Sequence, residues 1–168
     1  MSELERIVEA ARLPAGEQVI EASEAQCAAL AARFALVAVK SLTARVMLAA
    51  DGPTVRATGR VTAEIVQSCA VSGEDLPVRI DEPLALRFVP AGEPVSGDAE
   101  IELSAEELDD IEMENGRFDL GEAVAQTLGL AIDPYLEGPG AEEFRRKAGI
   151  LSESEGGAFA ALKGLLKN

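Results

Sequence analysis

The chain has 168 residues, of which 48% are hydrophobic and 27% are charged, and these values predict one globular domain with a core of its own. Its formal net charge of −15 excludes the broadly basic surface that nonspecific nucleic-acid binding requires. The absence of histidine excludes histidine-based acid–base and nucleophilic catalysis, and two cysteines do not complete a tetrahedral zinc site.

The spacing of apolar residues along the chain predicts strands and helices in alternation. Ser23 and Gln26 fit a capping box at the start of one helix, and Asp119 with Glu122 fits the start of another. The predicted elements are, in chain order, a strand or helix at 4–13, a strand at 18–22, a helix at 23–34, strands at 35–49, 54–67 and 78–89, a short edge strand at 100–103, a turn of helix from 104, a strand at 111–113, and helices at 119–132, 141–150 and 158–168.

The strands at 35–49, 54–67 and 78–89 follow one another with short links, which predicts an antiparallel meander because parallel neighbours need a long crossover. We therefore predict an α+β fold, with a mainly antiparallel β-sheet, open or curled toward a barrel, covered by two or three helices. Residues 1–151 are expected to form a single domain. A flexible linker and a short amphipathic helix are expected in residues 152–168.

The location of the protein follows from what the sequence lacks. No apolar run approaches the ~18 residues of a membrane span, and the acidic N-terminus has no signal-peptide core. We therefore expect a cytoplasmic protein with no membrane partner. Cys27 and Cys69 are expected to stay reduced in that compartment, with Cys27 as a small core residue.

Acidic residues are concentrated in one part of the chain. Residues 93–143 contain 16 acidic residues and one basic residue, so this region alone carries the whole net charge of −15. One interpretation is a solubilising surface, and the other is a docking surface for a basic partner such as an RNA-binding protein. The candidate docking residues are Glu106, Glu107, Asp109 and Asp110.

The predicted strands of the meander carry arginines on their polar faces. If the polar faces of neighbouring strands align, these arginines form a basic strip opposite the core. The strip is either scattered solubilising charge or a patch for RNA or an acidic partner. The candidate residues are Arg56, Arg60, Arg79 and Arg87.

Several kinds of chemistry have no motif in this sequence. There is no phosphate-cradling glycine loop, and the carboxylates of residues 98–114 lack the spacing of a calcium loop. A small-molecule enzyme that uses clustered carboxylates in residues 98–143 remains the alternative function, because many acidic pairs are available there.

Four pieces of the sequence carry a resemblance; in order they are LAARFAL (30–36), the stretch GRVTAEIVQSCAVSGEDLPVRIDEPLALRF (59–88), the block ELDDIEMENGRFDLGEAVAQTLGLAIDPY (107–135) and AFAALKGLLK (158–167). With these pieces the sequence resembles the YceD-type family of large ribosomal RNA subunit accumulation proteins. It is most similar to the alphaproteobacterial branch, in which the residues at 119–122 and 133–135 recur.

This resemblance implies a non-catalytic ribosome biogenesis factor that promotes synthesis, processing or accumulation of large-subunit ribosomal RNA. The expected partner is ribosomal RNA or a basic ribosomal or assembly protein, and DNA is not expected. Many members carry C-x-x-C at this loop and a second cysteine pair near the C-terminus, which suggests a metal. Here Ala70, Val71 and Ser72 follow Cys69 and no C-terminal cysteine exists, so we expect no metal and no cofactor.

Overall fold

The structure, a computed structural model, describes residues 2–92 and 109–149. Its strands are β1 (Ile7–Glu9), β2 (Gln18–Glu21), β3 (Ala38–Asp51), β4 (Thr54–Ser68), β5 (Asp75–Pro90), β6 (Asp109–Met113) and β7 (Arg117–Asp119). Its helices are α1 (Glu24–Arg33), α2 (Leu120–Ala131) and α3 (Ala141–Lys147), and a 3-10 turn covers Ala10–Arg12. None of these helices is long and apolar enough to cross a membrane.

Most of the predicted elements that fall on these residues are confirmed, with ends that differ by a few residues. The segment 4–13, for which strand and helix were both open, begins as β1 and ends in the 3-10 turn. The predictions of a strand at 100–103, a turn of helix from 104 and a helix at 158–168 lie outside the described residues.

Five strands form one sheet in the order β2-β3-β4-β5-β6, and the pairs β2–β3 and β3–β4 are antiparallel. β4 and β5 are neighbours joined by residues 69–74, a link too short for a parallel crossover. β5 and β6 run parallel, with Leu86 opposite Asp109. The predicted α+β class with a mainly antiparallel sheet is confirmed, and in the part of the chain that the structure describes the sheet is open, with β2 and β6 at its edges.

The pairing of β3 with β4 decides which of their side chains enter the core. The register of the pair shifts between Val39 and Ser41. Because one extra residue reverses the direction of every later side chain, Val39 and Leu42 are both buried although they are three positions apart. On β4, a Cβ added to Gly59 would stand 2.0 Å from the backbone carbonyl oxygen of Arg45. Only glycine permits this close approach of the two strands.

Helices α1 and α2 contribute to one buried cluster with the large sheet, and their capped ends were predicted. The Ser23 hydroxyl accepts from the Gln26 N–H, and the Ser23 N–H donates to the Gln26 side chain at 2.8 Å. The Asp119 carboxylate accepts from the backbone N–H groups of Gly121 and Glu122 in the first turn of α2. The largest fully buried side chains of the cluster are Phe88, Leu30, Leu42, Ile65, Leu84, Leu120 and Leu128. The Phe88 ring stacks on Phe118 of β7 with ring centroids 3.9 Å apart.

The chain divides into two compact units. The first contains Met1–Val66 and Pro77–Ile132, and the second contains Gln67–Leu76 and Asp133–Asn168. In the second unit the bend after β4 is bonded to the segment before α3, because the Ala70 N–H donates to the Leu136 carbonyl oxygen at 2.9 Å. The domain boundary predicted after residue 151 lies outside the described residues and stays a prediction.

Candidate partner-binding surfaces

The four arginines of the predicted RNA or partner patch lie on β4 and β5, and all four side chains are exposed. Three of them contact carboxylates of the same chain. The pairs are Arg56–Asp51 at 3.0 Å, Arg60–Asp81 at 2.6 Å and Arg87–Asp110 at 2.7 Å. Arg79 has no carboxylate within ion-pair distance among residues 2–92 and 109–149.

These ion pairs reduce the positive potential that the arginine patch offers to a phosphate. Hydrogen bonding to Asp81 raises the pKa of the Arg60 guanidinium, and hydrogen bonding to Asp110 raises the pKa of Arg87. A phosphate that bound either arginine would replace a carboxylate that already accepts a charge-assisted hydrogen bond, so its net gain would be small. Arg79 is the described patch residue that a phosphate could bind without this exchange.

Two residues of the predicted acidic docking surface begin β6, and the other two, Glu106 and Glu107, lie outside the described residues. Arg87 donates from Nε to Oδ1 of Asp110 and from Nη2 to Oδ2, both at 2.7 Å. This fork lowers the pKa of the Asp110 carboxyl. Asp109 is exposed and pairs with no cation in the described part of the chain. The arginine patch and the acidic surface, predicted separately, therefore meet at Arg87 and Asp110.

A groove of about 530 Å³ lies between α2 and the strands β5 and β6, beside the two aspartates. Its lining is mostly apolar, and Leu130 of α2 borders it with 83% of the residue exposed. Glu82, Asp109 and Asp110 also line it. Sequence reasoning missed this groove, although one signal was available. Leu130 lies outside the apolar stripe of the predicted helix at 119–132, which consists of Leu120, Ala123, Val124, Thr127, Leu128 and Ala131.

A second arrangement that sequence reasoning missed joins the end of α1 to the start of α2. The Arg33 guanidinium donates to both carboxylate oxygens of Glu122, at 2.8 and 2.6 Å, and also to Glu3 at 2.8 Å. The hydrogen bonds from Arg33 lower the pKa of Glu122 to about 2. Glu122 is therefore ionised at neutral pH and links α1 to α2. The sequence predicted only its place in the first turn of α2.

The bend between β4 and β5 holds the thiol of Cys69 among backbone donors. Its sulfur accepts from the Gly138 N–H at 3.2 Å and from the Ser72 N–H at 3.4 Å. These hydrogen bonds, that of Gly138 first, lower the pKa of Cys69 to about 7. Burial raises the pKa of the Cys27 thiol in α1, and its predicted place in the core is confirmed. Both cysteines are free thiols.

The Cys69 bend does not fit the metal that relatives with two cysteine pairs suggest. Its one thiol already accepts two backbone hydrogen bonds, and Ser72 occupies the position of the second thiol. The Ser72 hydroxyl accepts from the Glu74 N–H at 3.4 Å, so it serves the turn itself. In residues 2–92 and 109–149, no three side chains of the types that bind metals come together.

Comparison with known proteins gives one match. A family model described as "Large ribosomal RNA subunit accumulation protein YceD" matches residues 57–166, which is more than half of the chain. No curated protein and no solved structure matches the chain. The matched region contains β5, β6, α2, the Cys69 bend and the groove beside Leu130.

Proposed function

We propose, from the premise that the chain belongs to the YceD family of large ribosomal RNA subunit accumulation proteins, that it is a non-catalytic factor of ribosome biogenesis. In this proposal it promotes synthesis, processing or accumulation of large-subunit ribosomal RNA in the cytoplasm. The family match over residues 57–166 is the observation that carries the proposal. The partner it contacts is ribosomal RNA or a basic ribosomal or assembly protein, with no DNA and no cofactor involved.

Of these two partners, we favour the basic protein. Three of the four patch arginines already bind carboxylates of the chain, which reduces their attraction for phosphate. The region 93–143 carries the net charge of −15, and a field of this sign attracts a basic protein and repels RNA. Of the two described residues of the acidic surface, Asp109 and Asp110, Asp109 is exposed and bonded to no described cation, so it is the better placed for such contact.

The enzyme alternative, which would use carboxylates in residues 98–143, receives no support from the groups whose pKa is shifted. A catalytic carboxylic acid needs a raised pKa, so that it carries a proton near neutral pH. The pKa values of Asp110 and Glu122 are instead lowered by hydrogen bonds from arginine. Both groups therefore behave as members of structural ion pairs.

Affinity purification of the tagged full-length chain from its source cells, with and without RNase, tests the proposal. We expect a basic large-subunit ribosomal or assembly protein to co-purify, and to remain after RNase treatment. The same purification is repeated with two charge-reversing variants, Arg79→Glu and Asp109→Lys, and compared with that of the wild-type chain. Each changes an exposed residue that has no ion-pair partner among the described residues, so neither breaks a known contact.

The variants separate the two partner classes. Loss of the RNase-resistant protein in Asp109→Lys, but not in Arg79→Glu, supports the protein partner. Association that disappears with RNase, weakens steeply with salt and is lost in Arg79→Glu would show direct RNA binding instead. If no large-subunit component co-purifies with the wild-type chain, the proposed role itself is wrong.

A further inference from the structure

In the part of the chain that the structure describes, the groove between α2 and the strands β5 and β6 has an apolar floor and is open to solvent on one side. Leu84 and Leu86 of β5 and Ala123 of α2 line the floor but are themselves buried, whereas Pro83 and Ala85 of β5 line it and are exposed. Leu130 borders the groove with 83% of the residue exposed. A leucine so exposed beside an apolar floor can bury much of its surface when an apolar side chain of a partner enters the groove.

Carboxylates stand on the strand side of this groove. Glu82 of β5 and Asp109 of β6 both line it, and neither has an ion-pair partner within the described ranges. Asp110 also lines it, although its charge is shared with Arg87. An apolar floor with carboxylates along one side attracts a segment that carries both apolar and cationic side chains, and it repels the phosphates of RNA.

We infer that this groove binds an amphipathic, lysine- or arginine-bearing segment of the basic partner protein, with Leu130 as its apolar contact and Asp109 as its charged contact. The inference rests on the proposed function, because it assumes a basic protein partner. Such a segment places its apolar face against Pro83, Ala85 and Leu130. Its cationic residues then lie beside Glu82 and Asp109.

The sequence that connects β5 to β6 lacks the cationic side chains that this inference assigns to the occupant. Residues 93–108 contain six acidic residues and no basic one. These residues carry the same sign of charge as the carboxylates that line the groove, and it is unfavourable to bring like charges together. Charge complementarity therefore favours a basic partner as the occupant.

Fluorescence anisotropy with the full-length chain and two labelled peptides tests the inference. The peptides have the same leucine and lysine content. In one of them the leucines repeat at helical spacing on a single face, and in the other they are scattered. Only the amphipathic peptide can present several leucines together to Leu130 and the floor of the groove. We therefore expect it to bind about tenfold more tightly than the scattered peptide.

Two pairs of matched variants locate the binding. Leu130→Gln should remove most of the preference for the amphipathic peptide, whereas Tyr135→Gln, at a residue that is 80% exposed outside the groove, should keep it. Asp109→Asn should weaken binding of both peptides more than Glu112→Gln, which makes the same charge change on β6 at a residue that does not line the groove. Folding of the variants is checked by circular dichroism, and these substitutions change exposed residues.

Four results would overturn the inference. The first is equal binding of the two peptides by the wild-type chain. The second is a dimer, seen by sedimentation, that Leu130→Gln dissociates, since a second copy would then fill the groove. The third is tighter peptide binding after Leu162→Ser and Leu165→Ser, since the chain's own C-terminal segment would then be the occupant. The fourth is full co-purification of the RNase-resistant partner with the Leu130→Gln variant. The proposed function would then still hold, but the groove would not be the binding site of the partner.

Discussion

Substitution of Glu122 by glutamine is expected to destabilise the protein in a way that depends on pH. A pKa that falls from 4.5 to about 2 on folding corresponds to about 3 kcal/mol of stability. Because the Glu122 side chain is 29% exposed, solvent screening reduces this to about 1–2 kcal/mol. The folded pKa is the lower one, so this stability is present above pH 4.5 and is lost as the pH falls toward 2.

Urea unfolding followed by circular dichroism, between pH 3 and pH 7, measures this loss. At pH 6 Glu122→Gln should lower the free energy of unfolding by about 1–2 kcal/mol, and by pH 3 less than half of that difference should remain. Glu24→Gln is the matched control, because Glu24 also lies in the first turn of a helix, α1, but forms no ion pair among the described residues.

A double-mutant cycle with Arg33→Gln assigns the effect to the Arg33–Glu122 pair. In the Arg33→Gln background, Glu122→Gln should cost little, because its partner is already gone. An equal loss of stability at pH 3 and pH 6, or a loss that is unchanged without Arg33, would show that the Arg33–Glu122 pair is not its source.

Three further predictions concern the core and the Cys69 bend. Gly59→Ala should lower the free energy of unfolding by about 2 kcal/mol or more, since its Cβ would meet the carbonyl oxygen of Arg45 at 2.0 Å; a loss no larger than that of Thr58→Ala contradicts this. Phe88→Ala should cost about 3–5 kcal/mol in thermal or urea unfolding, because Phe88 is fully buried, and a cost below about 1 kcal/mol would show that the ring is not packed in the core. In a Cys27→Ala background, the thiolate absorbance of Cys69 should appear with a midpoint near pH 7 in the folded chain, and a midpoint near 9 would show that its hydrogen bonds are not formed.

The parts of the fold that could be predicted depend on residues close together in the sequence. Ser23 and Gln26 are three residues apart, and the alternation along β4 is read from consecutive positions, so local physics determines both. Asp119 likewise caps α2 by accepting hydrogen bonds from backbone N–H groups only two and three residues away. These features survive folding because the tertiary structure agrees with the local preference.

The features that were missed join residues far apart in the sequence. The parallel pairing of β5 with β6 gives no local signal, because the same alternation suits either direction. Arg33 and Glu122 are 89 positions apart, and Arg87 and Asp110 belong to regions that the sequence assigns to different surfaces. For this reason the arginines appeared as a free basic patch, and the structure shows most of them bonded to carboxylates.

The level of large-subunit ribosomal RNA in cells tests the proposed role in ribosome biogenesis. In source cells that lack this chain, the ratio of large-subunit to small-subunit ribosomal RNA should fall, and the wild-type chain should restore it. Asp109→Lys should restore it poorly, whereas Arg79→Glu should restore it well, because the proposed contact lies on the acidic surface. An unchanged ratio in cells without the chain would show that the chain does not promote the accumulation of large-subunit ribosomal RNA.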